Sequence, residues 1–214
     1  MSNLSDLYDF QYGKGNNNPD NGGEYPIYGS NGIIGGYHEY NSEDAPVIGH
    51  IGANCGEVVF AKGKHYVTYN GVICCAKEGI DKRYAFYVLL NSKLKERVRG
   101  SAQPFISYDL LNEVKVDIPI FKTQEKIGKT LWSIDEKIDN NNAINAELEA
   151  LARTIYDYWF LQFEFPDENG KPYKSSGGKM VWCEELKQNI PEHWKVTLLS
   201  ELAEMQMKSI YLSL

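Results

Sequence analysis

From residue 127 onward the apolar residues fall into a heptad rhythm: Ile127, Leu131, Ile134 and Ile138 step by four, three and four. The same seam runs on through Asn141, Asn145, Leu148, Ala152, Ile155 and Trp159. This spacing predicts one amphipathic helix over 122–164. At about 1.5 Å per residue, a helix of about 40 residues is roughly 60 Å long, too long to bury its stripe against one small domain. It needs a partner helix, so a coiled coil is expected. Asn141 and Asn145 sit where apolar side chains would stabilise more, and buried asparagines at such positions fix register or partner. Two alternatives stand. Three consecutive asparagines are poor helix formers, so NNNAIN could break the segment into two shorter helices; and the seam could pack against the chain's own domain.

Upstream of the seam the pattern is short strands and turns. YPIYGSNGIIGGY (25–37) and PVIGHIGANCGEVVFA (46–61) are punctuated by glycine, and YVTYNGVICCA (66–76) is β-branched and aromatic. A helix is expected over 82–99, where Phe86, Leu89, Leu90, Leu94 and Val98 share a face. VKVDIP then alternates like a strand, with Val114, Val116 and Ile118 on one side and Pro119 ending it. The fold class expected is α+β: a mixed-strand domain over 1–121 followed by the long helix.

With 43% hydrophobic and 24% charged residues the composition is that of an ordinary globular protein. No run approaches the roughly 18 apolar residues of a membrane span, and MSNLSDLYDF has neither the basic start nor the apolar core of a signal peptide. A cytoplasmic location and no membrane partner are expected. Cys55, Cys74, Cys75 and Cys183 form no C-x-x-C pair and have no histidine at zinc spacing, so reduced structural thiols and no metal are expected. The net charge of −7 argues mildly against nucleic acid, but its distribution is uneven. Residues 1–60 hold one basic residue, Lys14, against eight acids, whereas 62–99 hold nine Lys or Arg against three. That second stretch could face phosphates.

The run NGKPYKSSGGKMVW (169–182) has the look of a phosphate loop. However, Gly177, Gly178 and Lys179 are followed by Met180 rather than Ser or Thr, and no buried strand precedes them. GSNGIIGG lacks the strand, helix and downstream acid of a dinucleotide site. There is no H-E-x-x-H or G-x-S-x-G, and His38, His50, His65 and His193 are scattered singly. Nothing points to catalysis, and no catalytic residues are assigned; the chain reads as a binder. An internal echo gives the lysine-rich run another meaning. LSDLYDFQ (4–11) returns as LSELAEMQ (199–206) with four identities and two Asp/Glu exchanges. The run would then be a junction over 165–194 between one unit and the start of a second, 195–214.

FEFPDENGKPYKSSGGKMVWCEELKQNIPEHWKV, with YDYWF before it, resembles the central junction of the specificity subunit of type I restriction-modification enzymes. YPIYGSNGIIGGY, IGANCGEVVF with YVTYNG, and GSAQPFISYDLL resemble a target recognition domain of that family. Together these stretches cover nearly the whole chain. The resemblance implies a DNA-reading, non-catalytic subunit. Its partners would be double-stranded DNA, modification subunits that methylate adenine with S-adenosylmethionine, and a restriction subunit using ATP and Mg; no cofactor is expected in this chain. The sequence departs from the family pattern in having one recognition domain and one long helix, without the P-x-x-W opening before the first domain. A half-length subunit is expected, able to work as a homodimer whose helices pair antiparallel and whose target is palindromic.

Base edges call for amides and hydroxyls on exposed turns, phosphates for cations. The candidates for bases are Asn16, Asn17, Tyr28, Ser30, Asn31, Tyr69, Asn70, Ser101 and Gln103; for phosphates, Lys62, Lys64, Arg97 and Arg99. Each could instead serve its own turn or solvate a face, Asn31 before Gly32 being a hairpin signal by itself. Leu131, Ile134, Ile138, Asn141, Asn145, Leu148, Ile155 and Trp159 are the candidate partner-binding seam. The competing class is a coiled-coil scaffold or an inactive cassette that reads no DNA, and a steep salt dependence of DNA binding would separate the two.

Overall fold

The computed structural model describes residues 2–15, 20, 22–98 and 104–201, in two compact units, 1–138 and 139–214. In the first unit, β1 (Ser2–Asn3) leads into the short helix α1 (Leu4–Leu7) and then β2 (Tyr8–Tyr12), β3 (Tyr25–Gly29), β4 (Gly32–Tyr37), β5 (Ser42–Gly49), β6 (Val58–Val67) and β7 (Gly71–Ala76). The last six strands form one mixed sheet in the order β2-β7-β5-β6-β3-β4, with β3 parallel to β6 and all other pairs antiparallel. Strand β6 pairs at its start with Ile48 of β5, through Val58, and near its end with Ser42, through His65. The turn that follows returns to the other end of β5, where Gly71 pairs with Gly49. The sheet therefore coils tightly, and the β6–β7 turn lies beside the C-terminal end of β5.

Helix α2 (Lys82–Asn91) starts at Asp81, whose side chain accepts from the Tyr84 N–H at 2.8 Å. The single helix expected over 82–99 is instead two. Lys93 takes a left-handed conformation, φ +48°, and α3 (Leu94–Arg97) follows at a new angle, which buries Leu94 while Leu90 stays exposed. Helix α4 (Tyr108–Glu113) is capped by Ser107 and leads into β8 (Lys115–Val116), which pairs with β1. The core lies between the sheet and these helices: Leu4, Leu7, Tyr8, Ile48, Val72, Ala85, Leu89, Leu94, Ile106 and Leu111.

Helix α5 (Phe121–Tyr156) runs unbroken through Asn140, Asn141 and Asn142 and ends in a π turn, Asp157–Leu161. The NNNAIN break does not occur. The first turns of α5 dock on the domain through polar and small residues. The buried Gln124 amide accepts from the Asp81 N–H at 3.0 Å and donates to the Pro119 carbonyl at 2.8 Å. Trp132 meets Phe60 at 4.8 Å between ring centres, and the Tyr87 hydroxyl donates to Asp135 at 2.5 Å. Ile127, Ile134 and Ile138, on the adjoining face, stay exposed, so the domain does not absorb the seam; Leu131 alone of these four is half-buried.

The second unit contains the rest of α5 and a small folded element where a junction loop was expected. Antiparallel β9 (Met180–Cys183) and β10 (Gln188–Pro191) close a core of Phe163, Cys183 and Ile190, with Phe165 and Trp194 stacked beside it at 5.6 Å. Its lysine- and glycine-rich turn is held by the chain's own carboxylates. Asp167 accepts from the Asn169 and Lys171 N–H groups, both at 2.8 Å, and Glu164 from that of Ser175 at 3.0 Å. Those amides are therefore already committed, which is the physical reason the run does not act as a phosphate loop. A helix begins at Leu199, as one does at Leu4, in keeping with the repeated LS[DE]L; the remainder of the echo, from residue 202, lies outside the described residues.

Candidate nucleic-acid interface

Turns far apart in sequence are tied together at the C-terminal end of β5. The Thr68 N–H donates to the Tyr28 carbonyl at 3.0 Å, linking the β6–β7 turn to the β3–β4 hairpin. The Tyr69 N–H donates to Gly15 at 3.2 Å, and the His50 N–H to Asn70 at 2.8 Å. On the other side of the loop over 50–57, Ile106 donates to His50 and Gly52 to Pro104, each at 3.0 Å. Tyr12 stacks on Tyr108 at 4.2 Å and tilts against His50 at 4.5 Å, beneath these loops.

This cluster brings together sequence candidates that have no local reason to meet. Tyr28, Ser30 and Asn31 line one shallow cleft with Gly49, Asn54 and Glu57, and Tyr69 and Asn70 form the adjoining turn. Asn16, Asn17, Ser101, Gln103 and Arg99 lie outside the described residues, although their neighbours Gly15 and Pro104 are tied into the cluster. Gly32, at φ +78°, takes the left-handed position of the hairpin, which frees the Asn31 side chain from serving the turn. Asn31 accepts instead from Asn54 Nδ2 at 2.9 Å. Asn54 and Glu57 stand outside the sequence-derived candidates. The signal for Asn54 is a polar residue within the glycine-bounded turn GANCG.

The phosphate candidates are placed elsewhere. Lys64 and Lys62 alternate along β6, opposite the N-terminal part of β5. Lys64 lies over the Tyr40 ring at 4.6 Å and Lys62 over Trp132 at 5.7 Å. The Arg97 Nε donates to the Ser92 carbonyl at 3.1 Å and closes the end of α2. Lys95 pairs with Glu57 at 2.5 Å beside the cleft, which is thereby close to neutral. His50 is held below its ordinary pKa by burial, so it sits among these loops as a neutral imidazole near pH 7. Among the described residues no group of three or more His, Cys, Asp or Glu is placed to hold a metal ion, and no helix is long and apolar enough to cross a membrane.

Polar, near-neutral turns raised on a coiled sheet suit the edges of bases. Residues 1–150 match the type I restriction modification DNA specificity domain. The chain belongs to this family. It is 28% identical over 137 residues to the type I restriction enzyme MjaIX specificity subunit of Methanocaldococcus jannaschii, covering 62% of this chain and 30% of that one. It is 32% identical over 131 residues to the EcoprrI specificity subunit of Escherichia coli, covering 60% and 32%. The crystal structure of the S subunit from M. genitalium shares the fold, with a TM-score of 0.59 at 19% identity over 78% of this chain and 46% of that one. This specificity-domain chain thus spans about a third of the length of the curated relatives it matches. The α+β domain with a long helix after it is the family architecture, and the loop cluster falls wholly within the matched residues.

The candidate seam of this specificity-domain protein is exposed along α5. Ile134, Ile138, Leu148 and Ile155 stand open to solvent, as do Asn141, Asn145 and Trp159. After the asparagines the apolar line is Ile144, Leu148, Leu151, Ile155 and Tyr158 rather than 145, 152 and 159. From Ile138 to Leu148 is ten residues, a heptad plus three, which shifts the stripe around the helix as a three-residue insertion does in a coiled coil.

Proposed function

We propose that this chain is the DNA-reading subunit of a type I restriction-modification complex, with its loop cluster reading one half of a split target. Catalysis is assigned to partners: modification subunits that methylate adenine using S-adenosylmethionine, and a restriction subunit that cleaves using ATP and Mg. The observation that carries the reading is the convergence of the Tyr28–Asn31, His50–Glu57 and Tyr69–Asn70 turns on one polar surface within the specificity domain. The first turns of α5 carry Lys122, Lys126 and Lys129 against Glu125, and its last turns with the π turn after them carry Glu147, Glu149 and Asp157 against Arg153. Antiparallel pairing of two copies sets these opposite charges side by side, which supports a homodimer through the long helix and a palindromic site.

The test is to co-express the chain with a type I modification subunit and to map methylated adenines on a random-sequence plasmid. A motif present only with this chain is the expected result, and a palindrome marks two paired copies. Absence of a motif, with the complex intact, overturns the reading. The exposed stripe on α5 favours a second reading, a scaffold that associates through its helix and reads no DNA; binding whose affinity does not fall steeply with salt, or no binding at all, would favour it.

A further inference from the structure

The Asn31–Asn54 pair joins two loops separated in sequence by all of β4 and β5. Its geometry is fixed from both sides. The loop carrying Asn54 is a closed turn: the Cys55 N–H donates to Gly52 at 3.0 Å, Gly56 to Gly49 at 2.9 Å, and Glu57 to the Asn54 carbonyl at 3.1 Å. Asn31 stands at the tip of a two-residue hairpin loop. With Asn54 Nδ2 donating to Asn31 Oδ1, the amide of Asn31 keeps its N–H donors and that of Asn54 keeps its carbonyl oxygen. Among the described residues neither of these remaining groups has a side-chain partner. The pair therefore presents one donor and one acceptor, locked side by side, toward the cleft.

A phosphate is a poor fit to this place. Among the described residues that line this cleft the charged one is Glu57, and Lys95 is already paired with it at 2.5 Å. A neutral donor–acceptor pair matches the edge of adenine in the major groove, which offers N7 as acceptor and N6 as donor. We infer that Asn31 and Asn54 act as one composite amide that reads the adenine of an A·T pair, with Asn54 as a specificity-determining residue that also positions Asn31. The inference rests on the DNA-reading function proposed above. It also defines what the complementary change would do. In Asn54→Asp the carboxylate accepts from Asn31 Nδ2, and the two groups turned to the cleft become acceptors only. Acceptors suit the N4 amino group of cytosine.

The experiment is the same methylation map, made with the wild-type chain, Asn54→Ala and Asn54→Asp, each co-expressed with the modification subunit and each melted to show that it is folded. Asn54→Asp keeps the volume of the native side chain and serves if Asn54→Ala does not fold. The expected result is that Asn54→Ala loses discrimination at one A·T position by roughly five- to 150-fold, the range of a good bidentate base contact, while the rest of the motif stands. Asn54→Asp should move that position toward C·G. A wild-type motif that both variants reproduce, or that weakens equally at every position, overturns the inference and leaves the DNA-reading function intact. A wild-type chain that yields no motif removes that function, and the inference falls with it.

Discussion

If two copies pair through α5, replacing Leu148 by Asp must weaken them by an amount the exposed surface sets. Leu148 is 57% exposed in the single chain. Fully burying a leucine is worth about 1.5–3 kcal/mol, so the part still available for an interface is worth about 1–1.7 kcal/mol. A two-fold dimer counts the residue twice, giving about 2–3.4 kcal/mol, or roughly 30- to 300-fold in Kd at ~1.4 kcal/mol per decade. Desolvating the two new carboxylates adds to this. Sedimentation equilibrium of the full chain over a dilution series reads the change directly. Ala150→Asp is the control, because residue 150 lies about 160° around the helix from Leu148 at ~100° per residue while bearing a loss of helix propensity at least as large. An unchanged Kd for Leu148→Asp, or an equal loss in both variants, would refute the pairing surface.

Gly128→Val should lower the thermal stability of the first unit by about 1–3 kcal/mol, as overpacking does, because a Cβ there would stand 2.5 Å from the Asp81 carboxylate and 2.7 Å from the Tyr84 backbone nitrogen; a melting temperature equal to wild type would show that α5 does not dock at the start of α2. His65 is held below its ordinary pKa of 6.5, first by burial, so its neutral form belongs to the folded state. Its contribution is present above pH 6.5 and is lost as pH falls through the lower folded value; melts across that window should lose stability in wild type and lose less in His65→Gln. The Cys55 thiol is pushed up to about 11 by burial and Cys74 is wholly buried, so iodoacetamide at pH 8 should label exposed Cys75 first and reach the other two only on unfolding, as peptide mapping would show. Lys64→Ala should weaken DNA binding alike on all sequences and reduce the slope of log K against log salt by about 0.9 if the lysine neutralises one phosphate; a changed motif would instead make it a base reader.

The sequence features that carried most information were those whose physics is local or periodic. The seam of α5 is visible because leucine and isoleucine recur at helical spacing, and the asparagine run did not break it: a helix of this length gains one hydrogen bond per residue, against a propensity loss of at most ~0.7 kcal/mol per asparagine. The Asn31–Gly32 hairpin is visible for a similar reason, since few residues other than glycine take φ +78°. Helices α1 and α4 escape detection because four to six residues are too few to display a period. The division between α2 and α3 escapes too, since Leu90 and Leu94 keep the spacing of one helix and only the left-handed Lys93 separates them.

What the sequence hides most thoroughly is which turns become neighbours. Tyr28 meets the 68–70 turn because β3 lies parallel to the end of β6, and that turn meets His50 because β7 returns along β5. Neither pairing is written in the alternation of either strand; each follows from the coiling of the whole sheet. The charge count misleads in the same way. The excess of cations over 62–99 suggested one basic face, yet Lys62 and Lys64 project from β6 onto aromatic rings while Lys95 neutralises Glu57 at the other end of β5. The six steps from Glu43 to Gly49 span about 20 Å at ~3.3 Å each, close to six base-pair steps of duplex at ~3.4 Å each. On the proposed reading, such a layout would set neutral amides toward base edges at one end of a strand and cations toward the backbone at the other, the separation of duties that sequence-specific binding requires.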